Sequence, residues 1–317
     1  MIVATCSRSF LSHVLKLKGS SLISTNKDTD LTTFPITPDI MALIDRALEE
    51  DLGIGDPTTE ILVPGDLKGE AILRAKSNGI LCGTSIALMV FERIDPTIES
   101  IACLKDGAFL GPGQTIARIV GPIGSILRGE RTALNFLQHL SGIATETGRF
   151  VEEIKGFNTR IIDTRKTIPG LRSLEKYAVR AGGGHNHRRN LGDGILIKDN
   201  HIAASRINGL TIGDAVNKAL RRASHLHKVE VEVTSLEEAQ TAVESGAQIL
   251  LLDNMTVEEM KDVVKACGGR ALLEASGGIS IETVRAVAES GVDLISVGAL
   301  THSARALDIN LTITIRT

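Results

Sequence analysis

Two rhythms of apolar residues divide the chain. Behind Pro35 and Pro38, Ile40, Ile44 and Leu48 recur at helical spacing and Gly53 supplies a stop, which predicts one amphipathic helix. Short runs then follow, EAILRAK (70–76), GILCG (79–83) and QTIARIVG (114–121), separated by turn residues with GPG at 111–113 as a break. They predict strands of a small α+β unit. Residues 125–155 read as helix, interrupted near Gly142.

Beyond that helix, apolar strand-like runs alternate with helical ones. RIIDT (160–164) and GILIKD (194–199) come first, then VEVEV (229–233), QILLLD (248–253), ALLEA (271–275) and DLISVG (293–298) at about twenty-residue intervals. Each gap holds a helix. Ser235 with Glu238, and Thr256 with Glu259, form capping-box patterns, and Gly246 and Gly268 stop the helices they open. Strands so spaced need crossover helices and hence a parallel sheet, either a barrel or an open doubly wound sheet. Lys198, Glu232, Asp253, Ser276 and Gly298 all fall at or beside the C-terminal ends of their strands, where barrel loops build active sites. An open sheet would instead gather ligand groups at one switch point behind a glycine-rich first turn, and neither GxGxxG nor GxxxxGK[ST] occurs. The pattern predicts an α/β fold, an incomplete parallel α/β barrel of about six βα units.

Composition narrows the function. The 317 residues are 43% hydrophobic with a net charge of −3, enough for a large core. Aromatic residues make up 3%, with one Tyr and no Trp, which argues against a nucleic-acid surface. No apolar run approaches the ~20 residues of a spanning helix. Cys6, Cys82, Cys103 and Cys267 show no metal-ligand spacing and read as free thiols in a reducing compartment. Residues 1–27 contain no acid, are rich in Ser, and carry Arg8, Lys16, Lys18 and Lys27. That composition suits an organelle transit peptide or a bacterial extension, so a cytoplasmic protein is expected, with an organelle as the alternative.

Charge is concentrated in one place. From Arg160 to Lys198 stand nine lysines and arginines against three acids, Asp163, Glu175 and Asp193, a local balance of +6. DTRKT (163–167), AGGGHNHRR (181–189) and IKDNH (197–201) interleave these charges. Arginine forks match carboxylates and phosphates, and lysine acts as a point charge. Arg165, Lys166, Arg188 and Lys198 are therefore candidate anion ligands. For Arg172, Lys176, Arg180 and Arg189 a structural role is equally expected. His187 reads as an imidazole beside an anionic substrate, since HxH alone is a weak metal signal. ASGGIS (275–280) and SVGAL (296–300) look like late-barrel phosphate loops opening helices. Glu232 and Asp253, expected to face each other across the mouth, suit a ribose diol, Mg2+ or a developing cation. Glu230 reads as a salt-bridge partner. A Schiff-base lyase using Lys198 would leave the arginines surplus.

These residues together resemble the quinolinate phosphoribosyltransferases. The likeness runs from EDLGIGDPTTE (50–60) through GERTALNFLQHLSGIAT (129–145), DTRKTIPGLRSLEKYAVRAGGGHNHR (163–188), LIKDNHI (196–202), LLLDN (250–254), EASGGI (274–279) and SVGALTHSARALDI (296–309). It implies a flexible N-terminal extension (1–35), an α/β sandwich domain (36–143) joined by a C-terminal strand (304–317), and a barrel domain (144–303). It also implies transfer of phosphoribosyl from phosphoribosyl pyrophosphate to quinolinate, with Mg2+ as cofactor, in a homodimer or higher oligomer with shared active sites. Carried over by motif, quinolinate meets Arg131 of a neighbouring subunit, Arg165, Lys166, His187 and Arg188, with Thr164 beside them. Lys198, Glu232 and Asp253 serve the phosphoribosyl pyrophosphate and its metal, and Ser276, Gly277, Gly278 and Gly298 hold the 5-phosphate. Lys166, Lys198, Glu232 and Asp253 are the catalytic set this implies.

Overall fold

The structure, a computed structural model, describes residues 34–207 and 209–315. The expected transit-peptide segment, Cys6 and the start of the extension lie outside these. Helix α1 (Pro38–Leu52) buries Ile40, Ile44 and Leu48, as its period requires. Then come α2 (Pro57–Leu62), β1 (Lys68–Ala75), β2 (Gly79–Ile80), α3 (Thr84–Ile94), β3 (Glu99–Ala102), β4 (Phe109–Leu110) and β5 (Thr115–Pro122). β1 alternates buried and half-exposed positions, the mark of a strand with one face on a core. The strand expected over 79–83 shrinks to two residues because Gly83, at φ +96°, already serves as the N-cap of α3.

Helix α4 (Ile123–Glu153) runs 31 residues, about 45 Å at 1.5 Å per residue, without interruption. Gly142 is there for a different reason. A Cβ on it would lie 2.2 Å from the carbonyl oxygen of Arg305, so this glycine lets another chain segment pass against the helix.

The second half contains β6 (Arg160–Ile162), α5 (Arg172–Ala181), β7 (Ile195–Ile197), α6 (Asp199–Arg206), α7 (Ile212–Arg222), β8 (Val229–Val233), α8 (Leu236–Glu244), β9 (Ile249–Asp253), α9 (Val257–Cys267), β10 (Leu272–Ser276), α10 (Val284–Glu289), β11 (Leu294–Ser296), α11 (Ala299–His302) and β12 (Ile309–Ile315). The six strands from β6 to β11 form one parallel sheet in the order β6-β11-β10-β9-β8-β7. β12 joins β1, β5 and β3 in a separate antiparallel sheet, in the order β12-β1-β5-β3. The parallel sheet curls: His187, just beyond the free edge of β6, reaches Glu230 of β8 and Glu274 of β10. His185 bridges to Ile162 and extends that edge, which makes the incomplete barrel.

Curling explains VEVEV. Val229, Val231 and Val233 are fully buried, whereas Glu230 and Glu232 take the opposite face, toward the barrel interior. Thr256 and Glu259 close a full capping box. The Ser235 hydroxyl accepts from Glu238 N–H, but the Glu238 carboxylate reaches back to Thr234 rather than to Ser235. Among the described residues no helix is long and apolar enough to cross a membrane. Cys82, Cys103 and Cys267 are free thiols.

Candidate functional site at the C-terminal ends of the barrel strands

Strand order and register set the mouth. Lys198 follows β7, Glu232 is the next-to-last residue of β8, and Asp253 and Ser276 end β9 and β10 in register with each other. Glu232 and Asp253 do not face each other across the mouth as expected; β8 and β9 are hydrogen-bonded neighbours, so the two carboxylates stand side by side. Lys198 Nζ donates to Glu232 Oε2 at 2.5 Å, and Asp253 Oδ2 accepts from Asn254 Nδ2 at 2.9 Å. An ammonium so engaged is poorly suited to Schiff-base formation, which needs a free amine.

The loop after β6 is held from three sides. Thr164 Oγ1 accepts the Lys166 N–H, Thr301 Oγ1 donates to the Lys166 carbonyl, and buried Glu175 binds Ile168 N–H and His139 Nε2. The Lys166 side chain is thereby laid against Gly298, where a Cβ would stand 3.0 Å from Lys166 Cδ. Gly277 and Gly278 have φ of +97° and +60°, and a Cβ on Gly277 would lie 2.2 Å from Asn254 Oδ1. These positions demand glycine for conformation and, at 277, also for space. The helix expected directly behind them starts only at Val284, so no helix terminus stands directly behind the two glycines.

Asp163 ties down the segment carrying His187 and Arg188. It is fully buried and accepts from Lys176 Nζ at 2.5 Å, Asn186 Nδ2 at 2.7 Å and His187 N at 2.8 Å. Burial pushes the Asp163 pKa up and the Lys176 pKa down, with their mutual contact opposing both shifts. Arg172 and Arg189 bind Thr167, Ser173 and the Arg189 carbonyl, and Arg180 lies over the Tyr177 ring. Those four cations, Lys176 included, are thus engaged by groups of the chain itself.

What remains is a confined pair of guanidiniums. Burial lowers the Arg188 pKa, and Arg165 beside it lowers it further against the pull of Glu230 and Asp193. Arg165 Nε is buried without a hydrogen-bond partner among the described residues. Two like charges and an unmet donor held together call for an anion with more than one charged group.

Two expected residues stand apart. Arg131 is exposed on α4 and lines a separate cavity of about 260 Å³ with Glu50, Asp51 and His139. His187 turns its Nε2 down into the barrel, 3.3 Å from Glu230 and 3.7 Å from Glu274. A cavity of about 580 Å³ opens below them toward the opposite end of the strands, lined by His187 and Arg188 as well as Arg160, Ile195, Ile249, Leu272 and Leu294. It lies away from Lys198, Glu232 and Asp253, so its size does not mark the reacting centre. Glu230 is the salt-bridge partner its position suggested, paired with His187, whereas Glu274 drew no reading, although each sits two residues before a mouth residue, Glu232 and Ser276, and must share its face.

An incomplete βα barrel with glycine loops and a basic cluster at its strand ends has the make-up of an enzyme that handles polyanionic small molecules. The chain matches Quinolinate phosphoribosyl transferase, N-terminal domain, over residues 56–141 and Quinolinate phosphoribosyl transferase, C-terminal domain, over 143–312, and it belongs to that family. It is 43% identical to the probable nicotinate-nucleotide pyrophosphorylase [carboxylating] of Bacillus subtilis, over 86% of this chain and 93% of that one. To the chloroplastic nicotinate-nucleotide pyrophosphorylase [carboxylating] of Arabidopsis thaliana it is 40% identical, over 87% and 83%. The crystal structure of NadC from Streptococcus pyogenes superposes with a TM-score of 0.85 at 39% identity, covering 90% of this chain and all of that one.

Proposed function

We propose that the chain joins the ring nitrogen of quinolinate to C1 of phosphoribosyl pyrophosphate and releases pyrophosphate and CO2 to give nicotinate mononucleotide. The observation that carries this reading is the Arg165–Arg188 pair, two like charges held close with the Arg165 Nε unsatisfied among the described residues. Quinolinate is a dianion, and the second substrate carries a phosphate and a pyrophosphate, so both demand clustered positive charge.

Arg165 and Arg188 hold the two carboxylates and aim the ring nitrogen. The N–H groups around Ser276, Gly277, Gly278 and Gly298 cradle the 5-phosphate, with Lys166 alongside. As the C1–O bond breaks, its electron pair leaves with pyrophosphate, and Glu232 and Asp253 stabilise the positive charge growing at C1. The ring nitrogen then donates its pair to C1. The cationic ring accepts the electrons left at C2 when that carboxylate departs as CO2, and C2 takes up a proton. Asp253, whose carboxylate offers hard oxygen donors, fits Mg2+ better than Glu232, which Lys198 already engages. Mg2+, when bound, neutralises pyrophosphate charge.

Arg131 lies outside this mouth, and we assign it to the site of a second subunit in a homodimer or larger assembly. We place the protein in the cytoplasm, or in an organelle if residues 1–27 direct it there; the chloroplastic name of the Arabidopsis thaliana relative favours testing the second. Incubation with quinolinate, phosphoribosyl pyrophosphate and Mg2+, followed by mass spectrometry, should yield nicotinate mononucleotide with stoichiometric pyrophosphate. Equal turnover of nicotinate, which lacks the second carboxylate, would overturn the reading.

A further inference from the structure

Beneath the guanidinium pair, three polar groups share the barrel interior. His187 Nε2 stands 3.3 Å from Glu230 Oε2 and 3.7 Å from Glu274 Oε1. The two glutamates are 5% and 2% exposed, and each keeps its Oε1 without a hydrogen-bond partner among the described residues. One histidine and two glutamates within 4.8 Å have the composition of a metal site. The imidazole argues against that use. Arg188 N–H donates to His187 Nδ1 at 2.6 Å, so the ring carries its proton on Nε2, the atom a metal ion would need bare.

We infer that Glu230 and Glu274 act as positioning residues, fixing the His187 Nε2–H inside the barrel so that Nδ1 anchors Arg188 beside Arg165. The consequence for quinolinate rests on the transferase reading above, whereas the ring's orientation does not. Two ionised carboxylates this close in a buried site repel each other, and a proton on Glu274 removes the repulsion. The facing groups pull the other way in part, since positive neighbours and a hydroxyl donor favour ionised carboxylates. Lys176 of α5 and Arg188 add positive charge near His187 and Glu230, Asp193 offsets Arg188, and the Ser296 hydroxyl of β11 is the further neighbour of Glu274. Burial, with Glu230 adding to it, pushes the Glu274 pKa up to about 8. At neutral pH Glu274 therefore keeps the proton. Above about pH 8 it loses it, the dyad repels, and the hold on His187 weakens.

Two measurements on the full-length protein test this. Side-chain 15N spectra of labelled histidine should show His187 with a bare Nδ1 and a protonated Nε2, a signature lost in Glu230→Gln. This readout needs no substrate, so it separates failure of the dyad from failure of the transferase assignment. In steady-state kinetics, Glu230→Ala and Glu274→Ala should raise KM for quinolinate roughly tenfold, the effect of orphaning a buried polar group, with kcat changed less. Glu274→Gln, whose amide mimics the protonated carboxyl, should rescue KM to within about twofold and abolish its rise above pH 8. The inference is overturned if Glu274→Gln is as damaging as Glu274→Ala, if the wild-type ring carries its proton on Nδ1, or if added Zn2+ binds that ring. Should the alanine variants fail to fold, the Gln variants and the spectra decide alone.

Discussion

Lys176→Met tests how the segment bearing His187 and Arg188 is held. Asp163 has no solvent exposure, and Lys176 is the only formal positive charge among its three hydrogen-bond donors; the other two are Asn186 Nδ2 and His187 N. Removing one partner of a buried ion pair costs about 3–5 kcal/mol, because the remaining charge is left in low dielectric. Domains are stable by only about 5–15 kcal/mol, so urea unfolding at pH 7 should show a large loss. The sign with pH is fixed. Burial already raises the Asp163 pKa above 3.8, and loss of Lys176 raises it further. The folded variant then binds that proton more tightly than the unfolded chain does, so acidification favours folding and the deficit is widest at neutral pH. Adding Asp163→Asn removes the stranded charge and should recover part of the loss. A deficit under about 1 kcal/mol, the size of an ordinary substitution, or one that grows on acidification, refutes the argument.

Three further outcomes are expected. Gly277→Ala adds about 1–2 kcal/mol of left-handed backbone strain and drives Asn254 from its place, so the apparent KM for phosphoribosyl pyrophosphate should rise and Tm should fall by a few degrees. Glu232→Ala and Asp253→Ala should lower kcat more than they weaken quinolinate binding, and Ser276→Ala should act mainly on the KM for phosphoribosyl pyrophosphate; the reverse pattern would exchange their roles. Mixing inactive Arg131→Ala protein with inactive Lys166→Ala protein should restore part of the activity through hybrid assemblies, and no recovery despite demonstrated subunit exchange counts against a shared site.

Much of the fold was legible because local physics wrote it into the order of residues. The apolar runs marked β8, β9 and β10 within a residue, Thr256 and Glu259 capped α9, and polar residues at strand ends pointed to the mouth. The concentration of cations was equally visible, since charge is a property of composition. Sequence could not show which of those cations were free. Lys176, Arg172 and Arg189 differ from Arg165 and Arg188 only in what the folded chain brings against them: Asp163, Thr167 and Ser173 for the first three, and a like charge for the last two.

The strand order likewise came only with the tertiary structure. It set Glu232 and Asp253 side by side instead of opposite, and closed the sheet far enough for His187 to meet Glu230 and Glu274. A glutamate between valines announces its face by the period of two, but its partner across the barrel is more than forty residues away along the chain. Sequence by itself determined the elements, their caps and the stock of charge, because these depend on neighbours within a turn or two. Which carboxylate meets which cation, and which donor is left unmet, depended on curvature and register, where contacts between distant segments and the loss of water decide the energy.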